Sequence, residues 1–93
     1  MFKRIKLNKI IQGENNRNRA ALKCLRLIGF SFPEIRSGLI KMNSVKLHTL
    51  AKNHQVVSST LYNTVKGIRL HAKSQQISAG ALGLEVNELY PEQ

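Results

Sequence analysis

Between Leu50 and Gly67 the chain reads LAKNHQVVSSTLYNTVKG, and its polar residues share one kind of chemistry. Ser58, Ser59, Tyr62 and Asn63 offer hydroxyls and an amide, groups that exchange hydrogen bonds with base edges or phosphate oxygens. Just before them stands the pair Val56-Val57; among and after them come Leu61 and Val65, four apart, as on one helical face. Two short helices joined by a turn of three or four residues, the second opening with small hydrogen-bonding side chains, are what helix-turn-helix DNA recognition requires. In that arrangement the apolar patches hold the helices together and the polar start of the second enters the major groove. The plainer alternative is that Ser-Ser-Thr is an N-cap with solvated neighbours.

The charge balance favours the first option. Fifteen Lys and Arg stand against five glutamates in 93 residues, a formal charge of +10. Such a chain attracts polyanions, either nucleic acid or an anionic membrane surface. Eight of the fifteen bases fall in the first 26 positions, whereas residues 84–93 hold three glutamates and no base. No apolar run is long enough for a membrane span, and no apolar block follows the basic start as in a secretory signal. A single cysteine, Cys24, cannot close an internal disulfide; with these features the expectation is a cytoplasmic, nucleoid-associated protein. On its apolar helical face Cys24 is expected to be a small core residue.

Enzyme chemistry lacks its usual ingredients. There is no aspartate, the glutamates are scattered, and no glycine-rich phosphate loop occurs, so no catalytic residue is assigned. His48, His54 and His71 are not spaced as metal ligands, and neither a metal nor a cofactor is expected; exposed or phosphate-facing histidines are.

The elements that must position these groups read as short helices. Residues 1–13 alternate loosely between apolar and basic, as in a basic arm or short strand. From Asn15 to Ile28, Ala21, Cys24, Leu25 and Ile28 take the spacing of one helical face. Ser31-Phe-Pro-Glu34 is a capping box with proline in the first turn, predicting a helix over Phe32–Met42. Asn43-Ser44 closes it and is expected to cap the next, with Leu47, Leu50 and Ala51 inside and an end near His54. Further helices are predicted over 58–66, stopped by Gly67, and over 72–82, burying Ile77 and Ala81 and stopped by Gly83. VNELYP makes a last turn. The fold class is therefore all-α, a compact bundle of about five or six short helices, with 1–30 as basic arm and additional helix and 31–93 as the DNA-binding domain.

The same residues carry a family resemblance. Leu50-Ala51, Val56 and Ser59-Thr60-Leu61 resemble the L-A-x-x-x-G-[VL]-S-x-S-T-[LV] core of lambda-repressor-like helix-turn-helix domains. Asn63, Ala81-Leu82-Gly83 and Glu88-Leu89-Tyr90-Pro91 add a likeness to the Ner-like branch, over about residues 37–91. This implies a phage or mobile-element transcriptional regulator with an all-helical fold that binds operator DNA. Position by position, Ser58 and Ser59 match the first residues of the recognition helix and Asn63 lies one turn on. Ser44, Lys46 and His48 match the start of the preceding helix, where the family contacts phosphates. The chain departs from the family at Gln55, where the family has its turn glycine, and at Val57, where it has a serine cap, so that Ser58 either caps the helix or reads a base. The loop Ile68 to His71 lacks the family's prolines, and the first 30 residues have no counterpart in its short members.

A second resemblance covers less. A-L-K-C-L-R-L-I-G-F-S-F-P-E-I-R-S-G-L is similar to the first two helices of resolvase-type or sigma-like domains, which would make Val45 to His54 the recognition helix. The leading expectation is a homodimeric regulator binding double-stranded operator DNA, not a membrane. Ser58, Ser59, Tyr62 and Asn63 read bases, while Ser44, Lys46, His48, Lys52, Lys66, Lys3, Arg4 and Lys6 hold phosphates. Its rivals are a helix-turn-helix scaffold that inhibits a host or phage protein, and a nonspecific nucleic-acid-binding protein.

Overall fold

Six helices and their connecting turns make up the described residues, 17–92, of this computed structural model. They are α1 (17–28), α2 (Phe32–Met42), α3 (Leu47–Asn53), α4 (Ser58–Val65), α5 (Ala72–Ala81) and α6 (Val86–Leu89). Among the described residues there is no strand, and the all-α class expected from the sequence is the one observed. The expected arm or strand at 1–13 lies outside the described residues.

Local chemistry sets where α2 begins. Ser31 Oγ accepts from the Glu34 backbone N–H, the Glu34 carboxylate accepts from the Ser31 N–H at 3.1 Å, and Pro33 occupies the first turn. Two otherwise orphaned N–H groups are thereby satisfied. One face of α2 then buries Ile35, Leu39 and Ile40, which pack with Leu22 of α1, Val65 of α4 and Leu82, Leu84, Leu89 and Tyr90 from the C-terminal third. Each such large apolar side chain contributes roughly 1.5–3 kcal/mol on burial. Helix α4 lies at the centre of this arrangement, packing on α2, α3 and α5.

Three expectations are corrected. In α1 the inward residues are Leu22, with Ala21 and Leu25 partly buried, whereas Cys24 and Ile28 are exposed. The face is rotated because Asn18 is buried: its side-chain amide donates to the Leu82 carbonyl at 2.9 Å and accepts from Asn43 Nδ2 at 3.0 Å. A reading based on apolar spacing cannot count a satisfied buried amide. In α5, Ile77 is buried but Ala81 is exposed, and the inner face is instead Ser74, Gln75, Ser78 and Ala79. Ser78 belongs inside because its hydroxyl donates to the Ser74 carbonyl and shares a 2.7 Å hydrogen bond with the Tyr90 hydroxyl.

Asn43 and Ser44 end α2 without capping α3. Asn43 donates its amide to the Leu39 carbonyl, Ser44 takes a left-handed φ of 55°, and α3 starts at Leu47 behind Lys46, which makes no side-chain cap bond. The serine hydroxyl stands two residues before the N-cap position, too early to reach the first N–H groups of α3.

Candidate nucleic-acid interface

The turn between α3 and α4 uses a residue whose type did not suggest it. Gln55 has φ 56°, in the left-handed region, at the position where a glycine would be the unstrained choice. The chain reverses there, with Gln55 N–H donating to the Lys52 carbonyl and Val56 N–H to the Ala51 carbonyl at 2.9 Å. Val57 is the N-cap of α4 and Ser58 its first helical residue, so Ser58 is not the cap. Its hydroxyl lies 3.2 Å from Nδ1 of His48 on α3.

Helix α4 divides cleanly into two faces. Leu61, Thr64 and Val65 are buried, and the Thr64 hydroxyl is spent on the Thr60 carbonyl at 2.7 Å. Ser59, Tyr62 and Lys66 are exposed and Asn63 is half-buried, all within an arc of roughly 100°. Lys66 Nζ sits 5.3 Å from the centre of the Tyr62 ring, which places a cation beside the aromatic on this face. Of the expected base readers, Ser59, Tyr62 and Asn63 thus share one outward surface, with Ser58 at its edge beside His48.

The end of α4 is held by a residue that the sequence reading did not single out. Arg36, on α2, is completely buried. Its Nε donates to the Val65 carbonyl at 2.8 Å and Nη1 donates to the Leu89 carbonyl at 2.9 Å and to the Glu92 carboxylate, while the guanidinium lies 4.3 Å from the Tyr90 ring centre. Gly67, with φ 79°, closes the helix against this group: a Cβ there would stand 3.1 Å from Pro33 Cγ and 3.3 Å from Arg36 Nη2. Arg36 therefore braces the C-terminal end of α4. An arginine amid apolar neighbours at 35, 39 and 40 gives no sequence signal of burial, because its partners lie far along the chain.

The expected phosphate contacts are more scattered. Ser44, Lys46, His48 and Lys52 are exposed on α3 and the turn before it, Lys66 at the C-cap of α4, and Arg69 joins them in the following loop; Lys3, Arg4 and Lys6 lie outside the described residues. Of the other histidines, His54 is exposed, whereas His71 is the N-cap of α5 and accepts from the Ser74 N–H at 3.2 Å. Among the described residues no group of three His, Cys, Asp or Glu side chains is placed to hold a metal ion.

What gives this face its field is the disposal of the acids. Residues 35–84 contain no carboxylate, while Glu88 is paired with Arg19, Glu92 with Arg36, and Glu34 is engaged by Ser31. The Arg19 guanidinium bonded to it, helped by the Glu85 N–H, holds the Glu88 carboxyl down at about 2. Lys41, Lys46, Lys52, Lys66, Arg69 and Lys73 make no ion pair among the described residues. A surface with hydrogen-bonding groups along one short helix, on a molecule whose exposed cations are largely uncompensated, can hold a polyanion and sample the edges of its bases. No protein-family model, no curated protein and no solved structure matches the chain.

Proposed function

We propose that the chain is a sequence-specific regulator that binds double-stranded DNA as a homodimer, with α3 and α4 acting as a helix-turn-helix. In this reading α4 enters the major groove. The observation that carries it is the outward face of α4, where Ser59, Tyr62 and Asn63 stand together beside Lys66 on a helix fixed at its far end by Arg36. The left-handed Gln55 supports it, since it supplies the conformation of the turn glycine in lambda-repressor-like domains. On that resemblance the regulator belongs with Ner-like proteins of phages and mobile elements, and acts in the cytoplasm on the nucleoid. No helix among the described residues is long and apolar enough to cross a membrane.

Each residue has a role of its own. Asn63 reads a base edge through its amide, which both donates and accepts, as adenine requires. Ser59 and Tyr62 contact bases or the sugar edge. His48 joins phosphate to Ser58: with Nδ1 accepting from the serine hydroxyl, its Nε2–H is left to donate to a phosphate, and Ser58 presents an acceptor. Lys46, Lys52 and Lys66 supply the salt-dependent share of affinity. The test is fluorescence anisotropy with the DNA flanking the protein's own gene against scrambled duplex, for wild type and Asn63→Ala. Preference for the native duplex that collapses in the variant is the expected result; equal binding to both duplexes, indifferent to the substitution, would refute the reading.

A further inference from the structure

Along α2, Glu34, Gly38 and Lys41 recur at helical spacing beside an open apolar groove of about 780 Å³, walled by Leu25, Phe30 and Met42 and floored in part by the core residue Ile35. Its walls are unusually bare. Met42 is 63 % exposed and Phe30 42 %, and Ile28, one turn beyond Leu25 on α1, is 72 % exposed. Contiguous exposed apolar surface of this kind marks an interaction site more often than isolated exposed residues do.

Gly38 adds a second observation. A glycine in mid-helix weakens the helix relative to alanine. Nothing within the chain calls for it, because a Cβ built at Gly38 meets no atom within 4 Å. What the missing side chain permits is the close approach of another backbone from outside.

We infer that this face is where two copies of the chain meet, with their α2 helices antiparallel across a two-fold axis near Gly38. The charges select this occupant. Glu34 lies one turn before Gly38 and Lys41 nearly one turn after it, and both line the groove. In an isologous contact residue i meets j and j meets i. Antiparallel crossing at Gly38 therefore sets Glu34 of each copy beside Lys41 of the other, while Leu25, Phe30 and Met42 cover one another. A parallel crossing would oppose like charges at both ends. Lys66 lines the same groove, so the interface borders the outward face of α4. Residues of α1, α2 and the turn between them build most of this contact, which gives the homodimer of the proposed function its surface and yet needs no DNA to form.

Sedimentation velocity of the full chain in the absence of nucleic acid tests it, with helical content checked by circular dichroism. Wild type is expected to be a dimer. Gly38→Trp is expected to be monomeric, its fold kept because the position opens to solvent. Lys41→Glu sets two like-charge pairs in the interface and weakens the dimer by roughly tenfold or more. An equimolar mixture of the Lys41→Glu and Glu34→Lys chains should recover a heterodimer tighter than either parent, since one of its cross-pairs is native and the other is reversed but still complementary. A wild type that stays monomeric up to several hundred micromolar would overturn the proposal and give the groove to another occupant. So would a dimer indifferent to Gly38→Trp and Lys41→Glu, or a mixture that associates no better than its parents. None of these outcomes bears on whether α4 reads DNA.

Discussion

Two regions of this small molecule handle charge in opposite ways. Where α1, α2 and the C-terminal segment meet, cations and carboxylates are paired: Arg19 with Glu88, and the buried Arg36 with Glu92 and two carbonyl oxygens. Across α3, α4 and the loop after it, Lys46, Lys52, Lys66 and Arg69 face solvent with no carboxylate between residues 35 and 84. A paired charge supports the fold and projects little field; an unpaired one adds little to the fold and projects outward. The same residue types thus serve cohesion at one end and attraction at the other, and substitutions should separate the two uses.

The largest expected effect falls on the paired end. Arg36→Met keeps much of the side chain's volume but strips hydrogen bonds from the Val65 and Leu89 carbonyls, and should lower stability by about 3 kcal/mol. Urea unfolding should show a lower midpoint with an unchanged slope. A variant as stable as wild type would deny Arg36 its place as the anchor of α4. On the other face, Asn63→Ala should leave the unfolding midpoint within about 0.5 kcal/mol of wild type. Its affinity for the preferred duplex should nevertheless drop by about 2 kcal/mol, roughly thirtyfold, as measured by anisotropy. Loss of stability without loss of preference would invert the comparison.

Smaller effects sharpen it. Glu88→Gln should cost about 1 kcal/mol near neutral pH, the size of a half-exposed ion pair. Because the folded protein holds Glu88 below its ordinary value of 4.5, at about 2, the pair stabilises above 4.5 and its contribution disappears as the pH falls through that window. The difference between wild type and Glu88→Gln should therefore shrink between those limits in acid titrations followed by circular dichroism. Lys52→Ala should be nearly silent in stability and should weaken binding to every duplex alike, with the salt slope reduced by about one. A base-dependent loss there would move Lys52 from phosphate contact to readout.

Much of the fold was legible because its signals are local. The capping box at Ser31 and Glu34, the stop at Gly67 and the start of α4 at Ser58 each depend on residues within one or two turns, and each was found where the spacing placed it. The candidate face on α4 was legible for the same reason, since alternating buried and exposed positions follow helical periodicity. The face of α1 was misread because Asn18, a polar residue, turns inward to reach Leu82 and Asn43. Ala81 was misplaced because serines, with hydroxyls satisfied by their own helix or by Tyr90, do the inner packing of α5.

By itself the sequence determined the helical class, the breaks between helices and the excess of cations, since composition, capping and periodicity act over a few residues at a time. Tertiary structure alone decided which arginine is buried, which histidine meets a serine across a turn, and where Glu88 and Glu92 are neutralised. Those outcomes depend on contacts such as Arg36 with Val65 and Glu92, separated by 29 and 56 positions. No local pattern specifies such a contact, because its free energy exists only once the chain has folded back to satisfy the buried group.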